Sequence, residues 1–309
     1  MAMLMIAEDM KPSSWKKHIR RLAPEIEFRI WPETGNVGDI RMALVWKPPG
    51  GVLRRFSNLA CIASLGVGVD HILTDAQLPE NIPITRIVEP SMARSMSEYI
   101  MLAVLSHCRH FDRYRQDQQD KTWQPRVPLL AANTRIGLMG MGQLGSHAAK
   151  QLQRIGFAVA GWRRTAKKIA GIDSYAGRDR LPAFLERTDI LVCTLPLTPS
   201  TEGILNRRVF ERLPEGAYLI NVARGRHLVE ADLLAALEQG HLSGACLDVF
   251  REEPLPESHP FWTHPRITVT PHISSLTFPA AVAPQLVENY RRLESGQPLE
   301  NVVDPGRGY

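Results

Sequence analysis

Short apolar runs alternate with longer segments of helical periodicity along almost the whole chain. The first such runs fall at 4–7, 27–31, 42–46, 61–65 and 84–88. After residue 134 the alternation restarts, with runs at 158–162, 190–195, 218–223, 245–250 and 267–270. Runs this short and this apolar suit strands covered on both faces. Their alternation with helices predicts parallel α/β sheets. Residues 92–110 read as one long helix, since Met96, Tyr99, Ile100, Ala103, Val104 and His107 recur at helical spacing. Residues 230–238 and the tail at 279–296 predict further helices, and a short extended end follows. The chain has 309 residues, which is long for one core, and no internal repeat is visible, so two consecutive α/β units are expected.

Between the long helix and residue 134 lies a polar excursion, DRYRQDQQDKTWQPRVP, with Trp123 inside it. A solvated arm is the plain expectation. A subunit contact is the sharper one, because a Trp in polar surroundings often anchors an interface. The composition, 44% hydrophobic and 22% charged, is that of an ordinary globular protein. The net charge of +5 is spread along the chain, with no basic run of about five or more and no nucleic-acid motif. Nucleic acid is therefore not an expected partner, while a mildly positive field suits a small anionic substrate. No apolar run approaches the roughly 18 residues that span a bilayer, so no membrane association is expected. The N-terminus has no basic region, and Glu8 and Asp9 follow the apolar start, so a first strand is expected and not a signal peptide. The four cysteines, Cys61, Cys108, Cys193 and Cys246, form no C-x-x-C and sit in apolar runs. They read as buried, reduced thiols of a cytoplasmic protein, and no metal site is expected.

The stretch TRIGLMGMGQLGSHAAKQL, residues 134–152, carries the first chemistry. Gly140, Gly142 and Gly145 form G-x-G-x-x-G between an apolar strand and an amphipathic helix. The first glycine allows a tight turn, the second a close approach to a pyrophosphate, and the third close packing of helix on strand. The helix start then offers free N–H groups to the anion. A dinucleotide site built from Gly140, Met141, Gly142, Gln143, Leu144 and Gly145 is expected. The fold class follows: two Rossmann-like or flavodoxin-like parallel-sheet domains with a cleft between them. Residues 1–92 with 275–309 would form the substrate domain and residues 93–274 the dinucleotide-binding domain.

An NAD-selective unit of this type places an acid about 20 residues on, against the ribose 2′-OH. Here the next strand ends in Trp162, Arg163, Arg164 and Thr165, with Lys167 and Lys168 behind, and the first acid is Asp173. A carboxylate would repel a 2′-phosphate, whereas a guanidinium binds it through two hydrogen bonds. NADPH is therefore expected over NADH.

Three residues follow later apolar runs: Arg224 in NVARG, Glu253 in LDVFREEP and His272 in TPHISS. In a doubly wound sheet, strand C-termini converge on the cofactor crevice. A guanidinium there can hold a carboxylate and polarise a carbonyl. An imidazole can protonate the nascent alkoxide, and a carboxylate beside it can hold its tautomer. Of the ten histidines, His18, His110, His147 and His241 read as helix or surface residues, His107 as part of the long helix, and His259 and His264 as loop. Only His272 stands just past a buried strand, behind a proline. An interdomain salt bridge would look the same in sequence.

Together, the glycine motif, NVARG, LDVF-x-x-EP and TPH resemble the D-isomer-specific 2-hydroxyacid dehydrogenases over about residues 61–272. LVWKPP, SLGVGVDHI, WQP, LPEGAYLINVARG and the ending RGY are similar to the branch that reduces glyoxylate and hydroxypyruvate, over nearly the whole chain. The resemblance implies a catalytic set of Arg224, Glu253 and His272. It implies backbone amides at Val67 and Gly68 on the substrate carboxylate, with Trp46 lining the substrate pocket. Trp123 would reach the active site of a neighbouring subunit in a homodimer. Cofactor contacts are implied at Met96, Leu195, Pro196, Thr201, Val222, Ala223 and Asp248, the last near the nicotinamide carboxamide. Glu253 argues against formate dehydrogenases, which carry glutamine there. Ser274 and Ser275 depart from the small apolar residues of many relatives and leave substrate preference open.

The expected activity is an NADPH-dependent reduction of a small 2-oxo acid: glyoxylate to glycolate, hydroxypyruvate to D-glycerate. Another 2-oxo acid, such as phenylpyruvate, is the enzymatic alternative. A corepressor-like, dinucleotide-sensing protein is the non-enzymatic one.

Overall fold

The computed structural model describes residues 1–7, 10–304 and 306–308. Glu8 and Asp9, on which the reading of the N-terminus leans, and Tyr309 of the RGY ending lie outside the described residues. The chain divides into two compact units, Met1–Ser91 with Thr277–Tyr309, and Met92–Leu276. The divisions at 91/92 and 276/277 fall one residue before and two residues after the positions read from the sequence.

The first unit opens with β1 (Ala2–Ile6), buried along its length. Helix α1 (Pro12–Leu22) follows, with proline in its first turn and Trp15 and Ile19, one turn apart, on its buried face. Next come β2 (Glu27–Ile30), β3 (Ile40–Val45), β4 (Cys61–Ser64), the short helix α2 (Asp70–Leu73) and β5 (Ile84–Thr85). The strands are parallel, in the order β2-β1-β3-β4-β5. The order reverses between β1 and β3, and in sheets of this kind ligands bind beyond the strand ends at that reversal.

The second unit contains almost all of α3 (Pro90–Cys108), then α4 (Phe111–Gln119), β6 (Arg135–Met139), α5 (Gln143–Ile155) and β7 (Ala158–Arg163). After β8 (Asp173–Ala176) come α6 (Leu181–Leu185), β9 (Ile190–Cys193), α7 (Arg207–Phe210), β10 (Ala217–Asn221), α8 (Glu230–Glu238), β11 (Leu242–Leu247) and β12 (Ile267–Val269). All seven strands are parallel, in the order β12-β11-β10-β9-β6-β7-β8. This is the doubly wound dinucleotide-binding order, extended by one strand, with its reversal between β6 and β9.

Period-two alternation divides the side chains of this sheet between two cores. Met139, Leu191, Cys193, Leu219 and Leu247 face one core with Phe184, Leu233 and Leu237 of α6 and α8. Leu138, Ile190, Val192, Ile220 and Cys246 face the other with Ile100, Val104, Ala148 and Leu152 of α3 and α5. Both-sided burial is why these strands read as unbroken apolar runs.

The last helix, α9 (Pro279–Glu294), belongs to the first unit and packs on α1. The chain then extends along β5, where Val303 N donates to the Ile84 carbonyl at 2.8 Å.

The structure differs from the sequence reading at two places. The polar excursion is not simply an arm: Phe111–Gln119 is a helix, although none of its residues is buried. Strand β8 has no counterpart among the apolar runs, because DSYA sits at the sheet edge and needs none. All four cysteines are buried and free. Among the described residues, no helix is long and apolar enough to cross a membrane, and no cluster of His, Cys, Asp and Glu could hold a metal ion.

Candidate functional site

In the second unit the glycine turn follows β6. Gly140 adopts φ +106°, a left-handed conformation that a side chain would strain. A Cβ at Gly145 would fall 2.0 Å from the Gly140 carbonyl oxygen, so α5 begins directly against the turn. Thr194, just past β9, donates from Oγ1 to that carbonyl at 2.7 Å and locks the turn across the strand reversal. Gly142 is the residue preceding α5, and a Cβ there would meet nothing within 4 Å. The start of α5 therefore presents an open face beside a tightly packed turn. Gln143 is exposed and Leu144 half-buried on that first turn, whereas Met141 is buried in the core.

Arg163 ends β7 and is half-buried, and its Nη1 is buried with no hydrogen-bond partner among the described residues. Arg164 and Thr165 beyond it are exposed. Trp162 turns into the core, its indole N–H donating to the Gly177 carbonyl at 2.8 Å, while Gly177 N donates to the Arg163 carbonyl. The strand end that carries the arginines is thus held to the turn after β8. Past β9, Leu195 is buried, and Thr201 Oγ1 donates to the Pro196 carbonyl at 2.7 Å, closing the 196–201 loop on itself.

Beyond β10, Val222 and Ala223 are buried, and Asn221 shapes the turn that carries Arg224. Its side-chain amide donates to the Arg224 carbonyl at 3.0 Å, and its oxygen accepts from Ala223 N at 3.2 Å. Beyond β11, Asp248 is fully buried and accepts three hydrogen bonds. The donors are Thr270 Oγ1 at 2.6 Å and the Ile273 and Ser274 amides at 2.8 Å. The Asp248 backbone N donates to the Asn221 carbonyl, and its carbonyl accepts from His272 N at 2.8 Å. The ends of β10, β11 and β12 are therefore bonded to one another in sequence.

His272 sits on the last of these turns at φ +54°, in the left-handed region that residues other than glycine rarely enter. Such a conformation persists only where surrounding bonds enforce it, and here Asp248 supplies them. His272 Nδ1 lies 2.9 Å from Glu253 Oε2, and Glu253 Oε1 accepts from Phe250 N at 3.1 Å. The imidazole is about one-quarter exposed and the carboxylate less so. The carboxylate fixes the ring's orientation and places the proton of the neutral ring on Nδ1.

The other predicted positions lie as follows. Met96 on α3 is buried. Trp123 is 96% exposed. In the first unit, Trp46 stands just past β3 at the strand reversal, its ring against Gly66 and 4.6 Å from the His71 ring. Val67 and Gly68 form the turn past β4, where Ser64 Oγ donates to the Gly68 carbonyl at 2.9 Å.

Comparison with known proteins identifies the family. The model of the D-isomer specific 2-hydroxyacid dehydrogenase NAD binding domain matches residues 101–274. The chain belongs to the D-isomer specific 2-hydroxyacid dehydrogenase family. It is 42% identical to a glyoxylate/hydroxypyruvate reductase A of Yersinia enterocolitica over 300 residues, 96% of each chain. A protein of the same name from Serratia proteamaculans is 44% identical over the same shares. Among solved structures, a family member from Xanthobacter autotrophicus in complex with NADPH and MES superposes with a TM-score of 0.94 at 41% identity, covering 100% of this chain and 99% of that one. An NADPH-dependent glyoxylate/hydroxypyruvate reductase from Sinorhizobium meliloti with NADP and sulfate gives a TM-score of 0.93 at 36% identity, with the same coverage.

This family member is thus an enzyme whose second unit contains the NAD-binding domain. Its residues fit a dinucleotide: the start of α5 is open at Gly142 beside the locked turn, and the buried Nη1 of Arg163 has no hydrogen-bond partner among the described residues. The supporting residues Thr194, Asn221 and Thr270 escaped the sequence reading. The signal each carried was a polar side chain at or just past the end of an apolar strand.

Proposed function

We propose that this enzyme reduces glyoxylate to glycolate and hydroxypyruvate to D-glycerate, with NADPH preferred over NADH. The observation that carries the reading is the His272–Glu253 pair, 2.9 Å apart on a left-handed turn tied to Asp248. The names of the two curated relatives support the substrates, and the two neighbours with NADPH or NADP bound support the cofactor.

The dinucleotide, when bound, supplies a hydride to the keto carbon. The glycine turn with Gln143 and Leu144 would hold its pyrophosphate, and Arg163 with Arg164 and Thr165 its 2′-phosphate. Leu195, Pro196 and Thr201 would cover the adenosine. Arg224 would pair with the substrate carboxylate and polarise the carbonyl. With Nδ1–H turned to Glu253, His272 would act in its doubly protonated form, giving the Nε2 proton to the alkoxide oxygen and being left as the neutral ring with its proton on Nδ1. Keto acid, hydride and proton together balance as the 2-hydroxy acid. The amides of Val67 and Gly68 are assigned to the substrate carboxylate and Trp46 to the substrate's other end. Asp248, its carboxylate occupied by three protein donors, would act on the nicotinamide side by holding the 270–274 turn in place.

The test is a panel of 2-oxo acids with each nicotinamide cofactor. Highest kcat/KM for glyoxylate and hydroxypyruvate with NADPH is expected. A higher value for phenylpyruvate, or for NADH, overturns the corresponding half. His272→Ala should lower kcat by about a thousandfold or more while NADPH affinity holds, and near-full kcat would remove His272 from the mechanism. A homodimer is also proposed, with Trp123 as an exposed anchor. A single particle of 34.6 kDa by light scattering would overturn it. Four buried free thiols suit a reducing cytoplasm.

A further inference from the structure

Asp248 holds the turn that carries His272, and the third donor to its carboxylate is itself held from another element. Thr270 Oγ1 lies 2.6 Å from Asp248 Oδ1 and 2.5 Å from the phenolic oxygen of Tyr99 on α3. The direction of these bonds follows from the chemistry. An ionised carboxylate only accepts, so the single hydroxyl proton of Thr270 goes to Asp248. Thr270 can then only accept from Tyr99, whose own proton must point at it. Burial pushes the Tyr99 phenol well above its ordinary value, so the phenol keeps that proton. The same Oδ1 also accepts from Ile273 N, Oδ2 accepts from Ser274 N, and the Asp248 carbonyl accepts from His272 N. The chain of bonds therefore runs from α3, through Thr270 and Asp248, to the two residues whose backbone sets the direction of the imidazole. His272 occupies a left-handed conformation that its own preferences oppose, so its placement depends on such outside bonds.

We infer that Tyr99 and Thr270 are positioning residues for His272, acting through Asp248 as a directed hydroxyl relay. This rests on His272 being the proton donor. Neither hydroxyl touches the reacting atoms. Each restricts the Asp248 carboxylate to the rotamer in which it grips the 273–274 amides. Losing either lets the imidazole wander from the geometry that protonation requires, and small misplacements at a reacting group are costly in rate.

The experiment is a cycle of variants in the full-length enzyme, assayed with glyoxylate and NADPH. Tyr99→Phe and Thr270→Val should each lower kcat by about tenfold, with NADPH KM within about twofold of the parent. Thr270→Ser, which restores the hydroxyl, should recover most of the loss. In the Thr270→Val background, Tyr99→Phe should cost nothing further, because its effect passes through the threonine hydroxyl. A merely structural role predicts otherwise, since lost packing would add in the double variant and would not be restored by serine. The inference is overturned if the single variants keep kcat within twofold, if Thr270→Ser is as slow as Thr270→Val, or if the two losses multiply. His272→Ala run alongside separates the two levels. If it retains kcat, the proton-donor reading itself fails. If it is inactive while Tyr99→Phe is unaffected, only the relay fails.

Discussion

Replacing Gly145 and Gly142 by alanine, one at a time, separates two tasks of the glycine turn. An ideal Cβ at Gly145 lies 2.0 Å from the Gly140 carbonyl oxygen and 2.7 Å from Thr194 Oγ1, where ordinary contact begins near 3.4 Å. The neighbour is backbone and cannot rotate aside. Either the start of α5 retreats by about 1.4 Å, or the Gly140 peptide turns and breaks its bond from Thr194. Overpacking of this kind costs about 1–3 kcal/mol, and a lost hydrogen bond about 1 kcal/mol. Alanine's better helix propensity returns about 1 kcal/mol. The net expectation for Gly145→Ala is a loss of about 1–3 kcal/mol together with weakened dinucleotide binding. At Gly142 a methyl group meets nothing within 4 Å, and φ is −74°, which alanine adopts freely. Stability should change by less than about 0.5 kcal/mol. The methyl would nonetheless project from the helix start where the pyrophosphate is proposed to lie, and NADPH Kd should rise by about tenfold or more. Urea unfolding without cofactor measures the first quantity, and fluorescence titration with NADPH the second. If Gly142→Ala binds NADPH as tightly as the parent, the open face is not the phosphate site. If Gly145→Ala is as stable as the parent, α5 does not press on the Gly140 carbonyl.

Other expectations follow from single contacts. Arg163→Ala should raise the NADPH KM by about tenfold and leave the NADH KM unchanged; equal effects on both would place the 2′-phosphate elsewhere. Asp248→Asn turns an amide donor toward one of three existing donors, and should cost about 2–4 kcal/mol in urea unfolding; a loss under about 0.5 kcal/mol would contradict the network. His107 stacks on Tyr218, ring centroids 3.9 Å apart, and burial, with His110 adding to it, lowers its pKa from 6.5 to about 4. The folded state then resists the proton that the unfolded chain accepts below pH 6.5, so stability falls from that pH down to about pH 4 and no further below it. The contribution lost between pH 7 and pH 5 is roughly 2 kcal/mol. His107→Phe should flatten that part of a urea-midpoint profile, and an unchanged slope would show that the imidazole charges freely in the folded protein.

Much of the architecture was written locally. Apolar runs covered on both faces announce strands without alternation, and this is why the runs ahead of Arg224, Glu253 and His272 could be placed. The glycine spacing in 134–152 announced a turn because each glycine answers a local steric demand. Strand β8 could not be found this way. An edge strand needs only backbone pairing with β7, so DSYA carries no apolar signature.

The sequence by itself determined the alternation of buried strands with helices, the glycine turn and which chemical groups stand at the strand ends. Those properties depend on residue type and near-neighbour spacing. Tertiary structure decided what each group is bonded to. Tyr99 read as one apolar position on a long helix, yet its hydroxyl meets Thr270, 171 residues away in sequence. Asp248 was marked for the cofactor, and folding occupied its carboxylate with the turn that carries His272. The left-handed conformation of His272 is the sharpest case. Local preference opposes it, and only donors and acceptors brought together from β11, β12 and α3 by the parallel crossovers hold it there.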